Sequence, residues 1–531
     1  MMWIDQICIN QDDKFEKAQQ IPLMSKIYTL ATSTVIWLGE AGEESNLALK
    51  LLEQIISSLQ FTFSNPDFAA LERLGLPTAD SKDWESLCKL LTRPWFGRVW
   101  IIQEAVLSSG TSLWFACGDR FIPWTTLTGA CIYLETCGIS RKLGDKFPTI
   151  IPENAPLGNA ISNIEAMKID AFPQLFDFLT KTRTAECFNP KDRVYGLVGL
   201  LDEKDKAAVR ISYESDYTVA SLYRDVTVDY IRSEPNPWMR LSLVLEAADH
   251  ESSELPSWAP DWREHPSTVG LNTPLSFSGA YNACGRFSHI KNRGKPMAEI
   301  IGNELTTPGV FFDTIIRVAD KFVDPDLSYQ SPTTENTALL NAVAFTTQLQ
   351  ENGPYGRYIF DAVWKTLVAG KYDKGPPKLG KRKASSEPPE PPYAEIFSFL
   401  FDETTGKSPS LPGQTYSRRQ KSPQGQGRIE LSSLGQRTLG QTFQEARSAL
   451  RNALRGRRLG ITSKGYFGLF PRRAAVGDVL YVLDRCPLPY VLRSVGSEGK
   501  FKFIGECFVH GIMNGEAVEP EDICLEGVTL V

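Results

Sequence analysis

The sequence has few of the residues that build metal centres, and it lacks the motifs of common enzymes. Its 531 residues include ten cysteines and four histidines, and no cysteines form a Cys-x-x-Cys pair. Because protein metal sites hold their ligands at short, regular spacings, no metal site is predicted. The cysteines are expected to be reduced and buried, as small apolar side chains of an intracellular protein. The absence of P-loop, Gly-x-Gly-x-x-Gly and Gly-x-Ser-x-Gly motifs disfavours the enzyme classes that use them.

Long apolar runs and a strong net charge are also absent. No apolar segment reaches the ~18 residues that a membrane-spanning helix needs, and Asp5 interrupts the N-terminus where a signal peptide would be apolar. The 57 basic and 63 acidic residues give a net charge of −6, which predicts no basic surface for nucleic acid. We therefore expect a cytoplasmic protein with no membrane span and no nucleic-acid partner. The basic triplet Lys381, Arg382 and Lys383 is interpreted as part of a solvated linker, with nuclear import as the alternative.

The sequence does contain two tryptophan-rich segments in which polar groups interrupt apolar runs. The first, from Trp3 to Gln11, reads WIDQICINQ, and the second, from Arg93 to Glu104, reads RPWFGRVWIIQE. They resemble the signatures of the fungal heterokaryon-incompatibility (HET) domain, roughly W-I-D-x-x-C-I-N-Q and R-P-W-F-x-R-x-W-x-x-Q-E. The segments at 24–28 and 35–39 continue the match in the same order. The resemblance implies a HET domain whose fold is distantly similar to that of the TIR domain.

The resemblance also implies that this HET domain is truncated at its N-terminus. In HET proteins a strand with a Y-x-A-L-S-Y-x-W-G motif and a helix precede the W-I-D segment, and neither precedes Trp3 in this sequence. Trp3 and Ile4 are predicted to end a buried strand, so a core without its first strand would expose an edge and apolar surface. A gene model that starts late and a truncated paralogue are both compatible with this pattern.

The apolar pattern predicts an α/β layer for residues 1–123, which we assign to the partial HET domain. Three- and four-residue apolar steps and short β-branched runs predict helices near 21–31, 46–59, 81–91 and 99–107, and strands at 34–38 and 113–117. Residues 35–38 are predicted to form an interior strand of a mostly parallel sheet, because strands and helices alternate. Trp37 and Trp95 are expected in the core, and Asp12 and Asp13 are expected to cap the first helix.

Three regions follow the HET domain. Residues 124–370 have a mainly helical pattern, and they include a segment at 189–197, NPKDRVYGL, that resembles one that follows HET domains. They also include a Pro-bracketed loop at 255–262 that is expected to bury two tryptophans. Residues 371–440 are rich in proline, serine and charge, which predicts a disordered linker. Residues 441–531 contain short apolar segments bounded by Gly, Pro and Asp, which predicts a small β-rich domain, a barrel or a sandwich.

The resemblance to TIR domains singles out Glu104. In active TIR domains a helix carries W-C-x-x-E, and its glutamate serves NAD glycohydrolase activity. Trp100 and Glu104 have the same i, i+4 spacing, which places both side chains on one helical face. Cleavage of the nicotinamide–ribose bond develops oxocarbenium character on the ribose, and a carboxylate stabilises that charge. The resemblance thus implies Glu104 as the catalytic residue and NAD as a substrate, with no cofactor. An ion pair with Arg93 or Arg98 is the alternative role of Glu104.

Four residues are candidates for ligand binding. Asp5 is placed at the end of a predicted strand, where open α/β sheets bind ligands, and capping of the following turn is its alternative role. Arg98 suits a phosphate group as a bidentate donor. Trp100 suits stacking on the nicotinamide ring or closing the pocket to water. Asn10, together with Gln11, is expected chiefly to form hydrogen bonds within its loop.

Two functions of different classes follow from the resemblance. The first is nonself recognition that triggers programmed cell death in a filamentous fungus, through TIR-like hydrolysis of NAD. The second is a non-catalytic interaction module that binds protein partners in incompatibility signalling. An inactive truncated paralogue is a further alternative. A measurement of NAD cleavage distinguishes the first function from the other two, because only the first includes that reaction.

Overall fold

The computed structural model describes two compact units. The described residues are 2–58, 68–108, 112–151, 157–170, 174–233, 237–265, 267–268, 270–271, 281–285, 298–319, 354–355, 359–370, 449–450, 452–496, 499–519, 523 and 525–531. The first unit comprises Met1–Tyr230 and Asp261–His265, and the second comprises Ile231–Pro260 and Pro266–Val531. In the described part of the chain, no helix is both long enough and apolar enough to cross a membrane.

The first unit consists of helices arranged around a three-stranded sheet. Its elements are α1 (Asp5–Cys8), α2 (Lys14–Leu30), β1 (Thr34–Trp37), α3 (Glu43–Ser57), α4 (Phe68–Arg73), α5 (Lys82–Leu91), α6 (Ile101–Leu107), β2 (Leu113–Cys117), β3 (Arg120–Pro123), α7 (Trp124–Thr136), α8 (Ile139–Lys146), α9 (Asn159–Lys168), α10 (Leu175–Lys181), α11 (Asp192–Val198), α12 (Glu203–Ala208) and α13 (Val219–Arg232). A 3₁₀ turn, Pro94–Gly97, precedes α6. The four predicted helices are confirmed as α2, α3, α5 and α6.

Local signals determine where the predicted helices begin. The Asp13 carboxylate caps α2 by accepting hydrogen bonds from the backbone N–H groups of Phe15 at 2.9 Å and Glu16 at 3.0 Å. The Ser81 hydroxyl accepts a hydrogen bond from the backbone N–H of Asp83 at 3.2 Å and so caps α5. Each cap satisfies donors that have no partner inside the helix. Because a capping side chain and the N–H groups that it binds lie within three residues of each other, the sequence alone can indicate a cap.

The sheet differs from the predictions in strand direction, in the position of β1 and in the burial of Trp37. Its strand order is β1-β2-β3, with β1 parallel to β2 and β2 antiparallel to β3, so it is mixed instead of mostly parallel. β1 lies at the edge of this sheet, and the prediction of an interior strand at 35–38 is therefore wrong. Trp37 is 52 % exposed, so its predicted place in the core is also wrong, whereas Trp95 is buried as expected. An apolar run marks a strand without revealing which of its faces is covered.

The segment before α1 differs from the prediction as well. Trp3 and Ile4 have no regular structure, and Ile4 is 40 % exposed, so they do not end a buried strand. The Trp3 ring instead meets the Tyr28 ring of α2 edge to face, with ring centroids 5.7 Å apart. An aromatic contact of this kind holds the segment without strand pairing.

One face of the three-stranded sheet is covered by aromatic side chains. Ile36, Phe115 and Ile122 are neighbours in register across the three strands, and all three are buried. Phe115 stacks on Trp124 with ring centroids 5.2 Å apart and meets Trp95 edge to face at 5.4 Å. These contacts fix the 3₁₀ turn against the sheet, and they thereby position the start of α6.

The second unit contains the predicted β-rich domain. Its elements are α14 (Pro237–Ala247), β4 (Glu299–Ile301), β5 (Glu304–Val318), α15 (Ile359–Leu367), β6 (Arg457–Thr462), β7 (Phe467–Pro471), β8 (Val479–Leu483), β9 (Pro489–Ser494), β10 (Lys500–Glu506), β11 (Phe508–Val509) and β12 (Glu526–Leu530). The sequence pattern did not indicate β4 and β5, which lie within the region at 124–370 that was expected to be mainly helical. The long strand β5 contributes to the same sheet as the C-terminal strands.

Five strands of the second unit close into a ring. β5 pairs with β12, β12 with β10, β10 with β9, β9 with β8, and β8 with β5 again. The end of β5 continues past the ring and pairs with β6. The ring surrounds a buried apolar core that includes Phe312, Leu480, Val491 and Ile504. Closure of a sheet in this way satisfies the hydrogen-bonding groups of its edge strands.

The Pro-bracketed loop at 255–262 contains two fully buried tryptophans, as the sequence predicted. In the second unit, the Trp258 indole N–H donates to the carbonyl oxygen of Asn303 at 3.0 Å. In the first unit, the Trp262 ring meets the Phe176 ring edge to face at 5.1 Å. The predicted linker, with its basic triplet, lies outside the described residues.

Candidate functional site

A cleft in the first unit brings together residues from distant parts of the sequence. Its volume is about 1020 Å³, close to the upper end of the range that small-molecule sites occupy. The charged and aromatic residues that line it include Asp5, Lys17, Arg98, Trp100, Asp192 and Tyr213. They come from α1, from α2, from the segment before α6, from the start of α11 and from the loop after α12. Three of the four predicted ligand-binding residues therefore line one cleft.

Asp5 lies half-buried at the start of α1. Its carboxylate accepts a hydrogen bond from the backbone N–H of Gln6 at 2.8 Å, and its carbonyl oxygen accepts one from the Gln11 side chain at 3.2 Å. The side chain of Asn10, the fourth predicted ligand-binding residue, accepts a hydrogen bond from the backbone N–H of Asp12 at 3.2 Å, and Asn10 does not line the cleft. Asn10 and Gln11 thus form loop hydrogen bonds, as expected, and Asp5 both organises its turn and faces the cleft.

Arg98 carries an exposed guanidinium group at the cleft. Its backbone is held by a parallel bridge to Glu186, in which the backbone N–H of Val99 donates to the Glu186 carbonyl oxygen at 2.9 Å. Within the described residues, Arg98 forms no ion pair, although Glu186 also lines the cleft. The guanidinium group therefore remains available to an anionic ligand.

A buried carboxylate that sequence reasoning missed also lines the cleft. Asp192 is 4 % exposed, and it accepts hydrogen bonds from the Tyr213 hydroxyl and from the Trp100 indole N–H, the latter at 3.4 Å. The Lys17 ammonium group lies 3.8 Å from the Asp192 carboxylate and 4.5 Å from the centre of the Tyr213 ring. Burial raises the pKa of Asp192, and the Tyr213 hydrogen bond and the Lys17 charge oppose that rise. The signal in the sequence was an acidic residue within the segment at 189–197, which resembles one that follows HET domains.

Glu104 lies near the cleft but is not one of its lining residues. Its carboxylate accepts a hydrogen bond from the Trp95 indole N–H at 3.2 Å. Burial raises the pKa of Glu104, while the positive charge of Arg98 and the Trp95 hydrogen bond oppose the rise. Burial, together with the charges of Glu104 and Asp5, also raises the pKa of Tyr28. Asp5, Tyr28, Arg98 and Glu104 are therefore one electrostatic cluster.

The ion pair that was the alternative role of Glu104 is absent among the described residues. Arg93 instead donates to the carbonyl oxygen of Leu38 at 2.6 Å and to the Ser45 hydroxyl at 2.8 Å, and so ties the second tryptophan-rich motif to the end of β1. Arg98 influences Glu104 through space without an ion-pair contact. Trp100 and Glu104 share the predicted spacing, but their side chains have different hydrogen-bond partners.

The cysteines and acidic residues show no metal site in the part of the chain that the structure describes. Cys8 is exposed and Cys187 is half-buried, which corrects the expectation that all the thiols are buried. The other cysteines within the described ranges are buried free thiols: Cys88, Cys117, Cys131, Cys137, Cys284, Cys486 and Cys507.

Comparisons with known proteins agree with the two motifs and with the two units. The family model described as heterokaryon incompatibility protein (HET) matches residues 1–104, and the model described as Het-6 beta-barrel domain matches residues 415–523. This is a HET domain-containing fungal protein. The HET match includes Asp5, Arg98, Trp100 and Glu104, whereas Asp192 lies beyond it.

A curated relative is similar to this HET protein over nearly the whole length of the chain. Heterokaryon incompatibility protein 6, OR allele, from Neurospora crassa is 22 % identical to it over 99 % of this chain and 83 % of the relative. No solved structure matches the chain.

Proposed function

We propose that this HET protein acts in the cytoplasm in fungal nonself recognition and triggers programmed cell death together with protein partners. The support is similarity to an incompatibility protein over 99 % of this chain, together with the matches of a HET model and a Het-6 barrel model to residues 1–104 and 415–523.

The chemical step of the proposal is TIR-like hydrolysis of NAD in the cleft. Water adds to C1′ of the nicotinamide ribose, the bond from C1′ to the ring nitrogen breaks, and neutral nicotinamide leaves with the bonding electrons. The products are nicotinamide, ADP-ribose and a proton. Carboxylates that face the ribose stabilise its oxocarbenium-like transition state.

The single observation that carries this step is the convergence of Asp5, Arg98 and Trp100 on one cleft, with Glu104 in the same electrostatic cluster. The Arg98 guanidinium group, which forms no ion pair among the described residues, is available for the pyrophosphate. Asp5 supplies negative charge at the cleft surface, and Glu104 adds negative charge close behind it. Trp100 lines the cleft, and its indole N–H donates a hydrogen bond to Asp192.

The test compares Glu104→Gln with Glu72→Gln, an exposed glutamate of α4 that serves as the matched control. Glutamine keeps an acceptor for the Trp95 indole but removes the negative charge, so NAD cleavage should slow by about 10²–10³-fold and toxicity on overexpression should be lost. Because burial raises the pKa of Glu104, the wild-type rate should rise with pH through that raised pKa. Glu72→Gln should behave as the wild type.

One observation favours the non-catalytic interaction module as a second candidate. Glu104, the residue that the TIR resemblance implies as catalytic, is absent from the residues that line the cleft. If cells that express the wild type die while their NAD concentration is unchanged, the hydrolase is excluded and the interaction module stands. If the cells neither die nor lose NAD, the inactive paralogue is supported.

A further inference from the structure

A second cavity lies beside the cleft in the first unit, and no step of the proposed function uses it. Its volume is about 200 Å³, and the described residues that line it lie between Leu91 and Glu186. Most of the lining is apolar, and it includes the buried side chains of Phe96, Ile161 and Met167. An apolar cavity of roughly 150 Å³ binds benzene, so this cavity has room for a somewhat larger ring system.

Few polar groups line the cavity, and two of them have unused hydrogen-bonding capacity. The hydroxyls of Thr92 and Thr182 donate to backbone carbonyl oxygens at 2.9 and 2.7 Å. The Asn163 side chain donates to the Lys181 carbonyl oxygen at 2.9 Å. Within the described residues, the amide oxygen of Asn163 and the hydroxyl of Thr184 have no hydrogen-bond partner. An unused acceptor and an unused donor beside apolar walls suit a heterocyclic base better than a hydrocarbon ring.

Two charged residues, Arg98 and Glu186, line both the cavity and the cleft, so they lie where the two meet. The parallel bridge between their backbones fixes their relative position. The Glu186 carboxylate lies beside Gly97, where a Cβ atom would be 3.7 Å from its nearer oxygen. In the described part of the chain, neither Arg98 nor Glu186 forms an ion pair. Both charges are therefore available to a ligand that extends from the cavity into the cleft.

We propose that the cavity binds the adenine ring of NAD, with the adenosine ribose at Glu186 and the pyrophosphate at Arg98. This inference rests on the proposed function, because it assigns a site to the half of NAD that does not react. A carboxylate accepts hydrogen bonds from ribose hydroxyls, and a guanidinium group binds phosphate oxygens. The apolar ring, the ribose and the pyrophosphate then follow the change from apolar walls to charged side chains.

The first experiment measures the binding of adenosine 5′-monophosphate (AMP) to the purified full chain by calorimetry. Ala160 lines the cavity from the first turn of α9, so Ala160→Phe should fill part of the space and weaken AMP binding by about tenfold or more. The matched control is Ala166→Phe, which makes the same substitution at an exposed position of α9 and should bind AMP as the wild type does. Failure of the wild type to bind AMP, or equal affinities of the two variants, would overturn the proposal.

A second experiment tests the place of the ribose and does not depend on the stability of Ala160→Phe. Adenosine 2′,5′-bisphosphate has an added phosphate on the ribose, next to the Glu186 carboxylate in the proposed site. Because like charges repel, the wild type should bind it about tenfold more weakly than AMP. Glu186→Gln should remove most of this difference, whereas the exposed control Glu72→Gln should retain it. Equal binding of the two nucleotides by the wild type would show that the ribose does not lie at Glu186.

These measurements separate this inference from the proposed hydrolysis, because AMP contains no nicotinamide and cannot undergo the reaction. A chain that cleaves NAD but does not bind AMP would refute the adenine site alone. A chain that binds AMP as described and leaves NAD intact would refute the hydrolase and retain the adenine site.

Discussion

The two units differ in whether their sheets are closed and in whether their charged side chains are buried. In the second unit β5, β12, β10, β9 and β8 close into a ring, and the Arg457–Glu506 ion pair is buried, with side chains 0 % and 6 % exposed. In the first unit no described strand pairs with the outer side of β1, and Arg98 is exposed at a cleft. A closed sheet removes reactive edges, whereas open edges and available charges are what binding requires. We infer that the second unit is built for stability and the first for interaction.

The largest expected effect comes from breaking the buried ion pair of the second unit. Arg457→Ala removes the cation that lies 2.7 Å from the Glu506 carboxylate and leaves that carboxylate without its charged partner. Loss of one member of a buried pair typically costs about 3–5 kcal/mol of unfolding free energy. Hydrogen exchange of β6 and β10 is the readout, because it reports on the second unit alone.

The matched control for Arg457→Ala is Lys500→Ala in the same unit. Lys500 pairs with Glu304, and both side chains are about two-fifths exposed. Removal of a solvent-exposed pair should cost about 1 kcal/mol or less. Equal losses of protection in the two variants would contradict the view that the buried charges stabilise this unit.

The next largest expected effect is a pH dependence of the unfolding free energy of the second unit. Burial and the neighbouring Glu506 carboxylate raise the pKa of Glu246 to about 8, from an ordinary value of 4.5. Between these values the folded chain holds a proton that the unfolded chain has released, so the stabilisation is complete below pH 4.5 and is lost as the pH rises towards 8. Unfolding free energy should fall by about 1.4 kcal/mol per pH unit across this window.

The control for this pH dependence is Glu246→Gln, which cannot titrate. The variant should unfold with a flatter pH profile and should be the more stable protein near pH 8, as followed by hydrogen exchange of α14 and β10. A wild-type profile that rises from pH 5 to pH 8 in α14 would contradict the raised pKa of Glu246.

The sequence predicted the helices of the first unit better than its sheet. The amphipathic steps of α3 and α5 and the cap at Asp13 are local features, and the structure confirms them. The position of β1 depends on which strands pair with it, so a run of apolar residues did not show that β1 lies at an edge.

The strand β5 was missed for a physical reason that its contacts show. Pro308 and Gly309 interrupt its apolar pattern, and a proline in a run normally indicates a break. In the structure, they mark the point where β5 changes partner from β12 to β8. A Cβ on Gly309 would lie 2.9 Å from the Val528 side chain, so glycine permits this close approach.

The cleft was predictable only in part. The motifs identified Asp5, Arg98 and Trp100, because charged groups in apolar, tryptophan-rich runs stand out within a few residues. Asp192 and Lys17 meet in the cleft although they lie far apart in the sequence. Proximity of this kind depends on how α2 and α11 pack together, and no local pattern contains it.

The smallest expected effect tests a local signal in the first unit, where two adjacent aspartates were predicted to cap α2. Asp13→Ala removes the acceptor of two backbone N–H groups and should lower the unfolding free energy of the first unit by about 1 kcal/mol. Asp12→Ala is the matched control, because Asp12 is exposed and its side chain makes no cap contact, so it should cost less than about 0.5 kcal/mol. Hydrogen exchange of α2 reports the difference. If the two variants lose equal protection, the Asp13 cap does not determine where α2 begins.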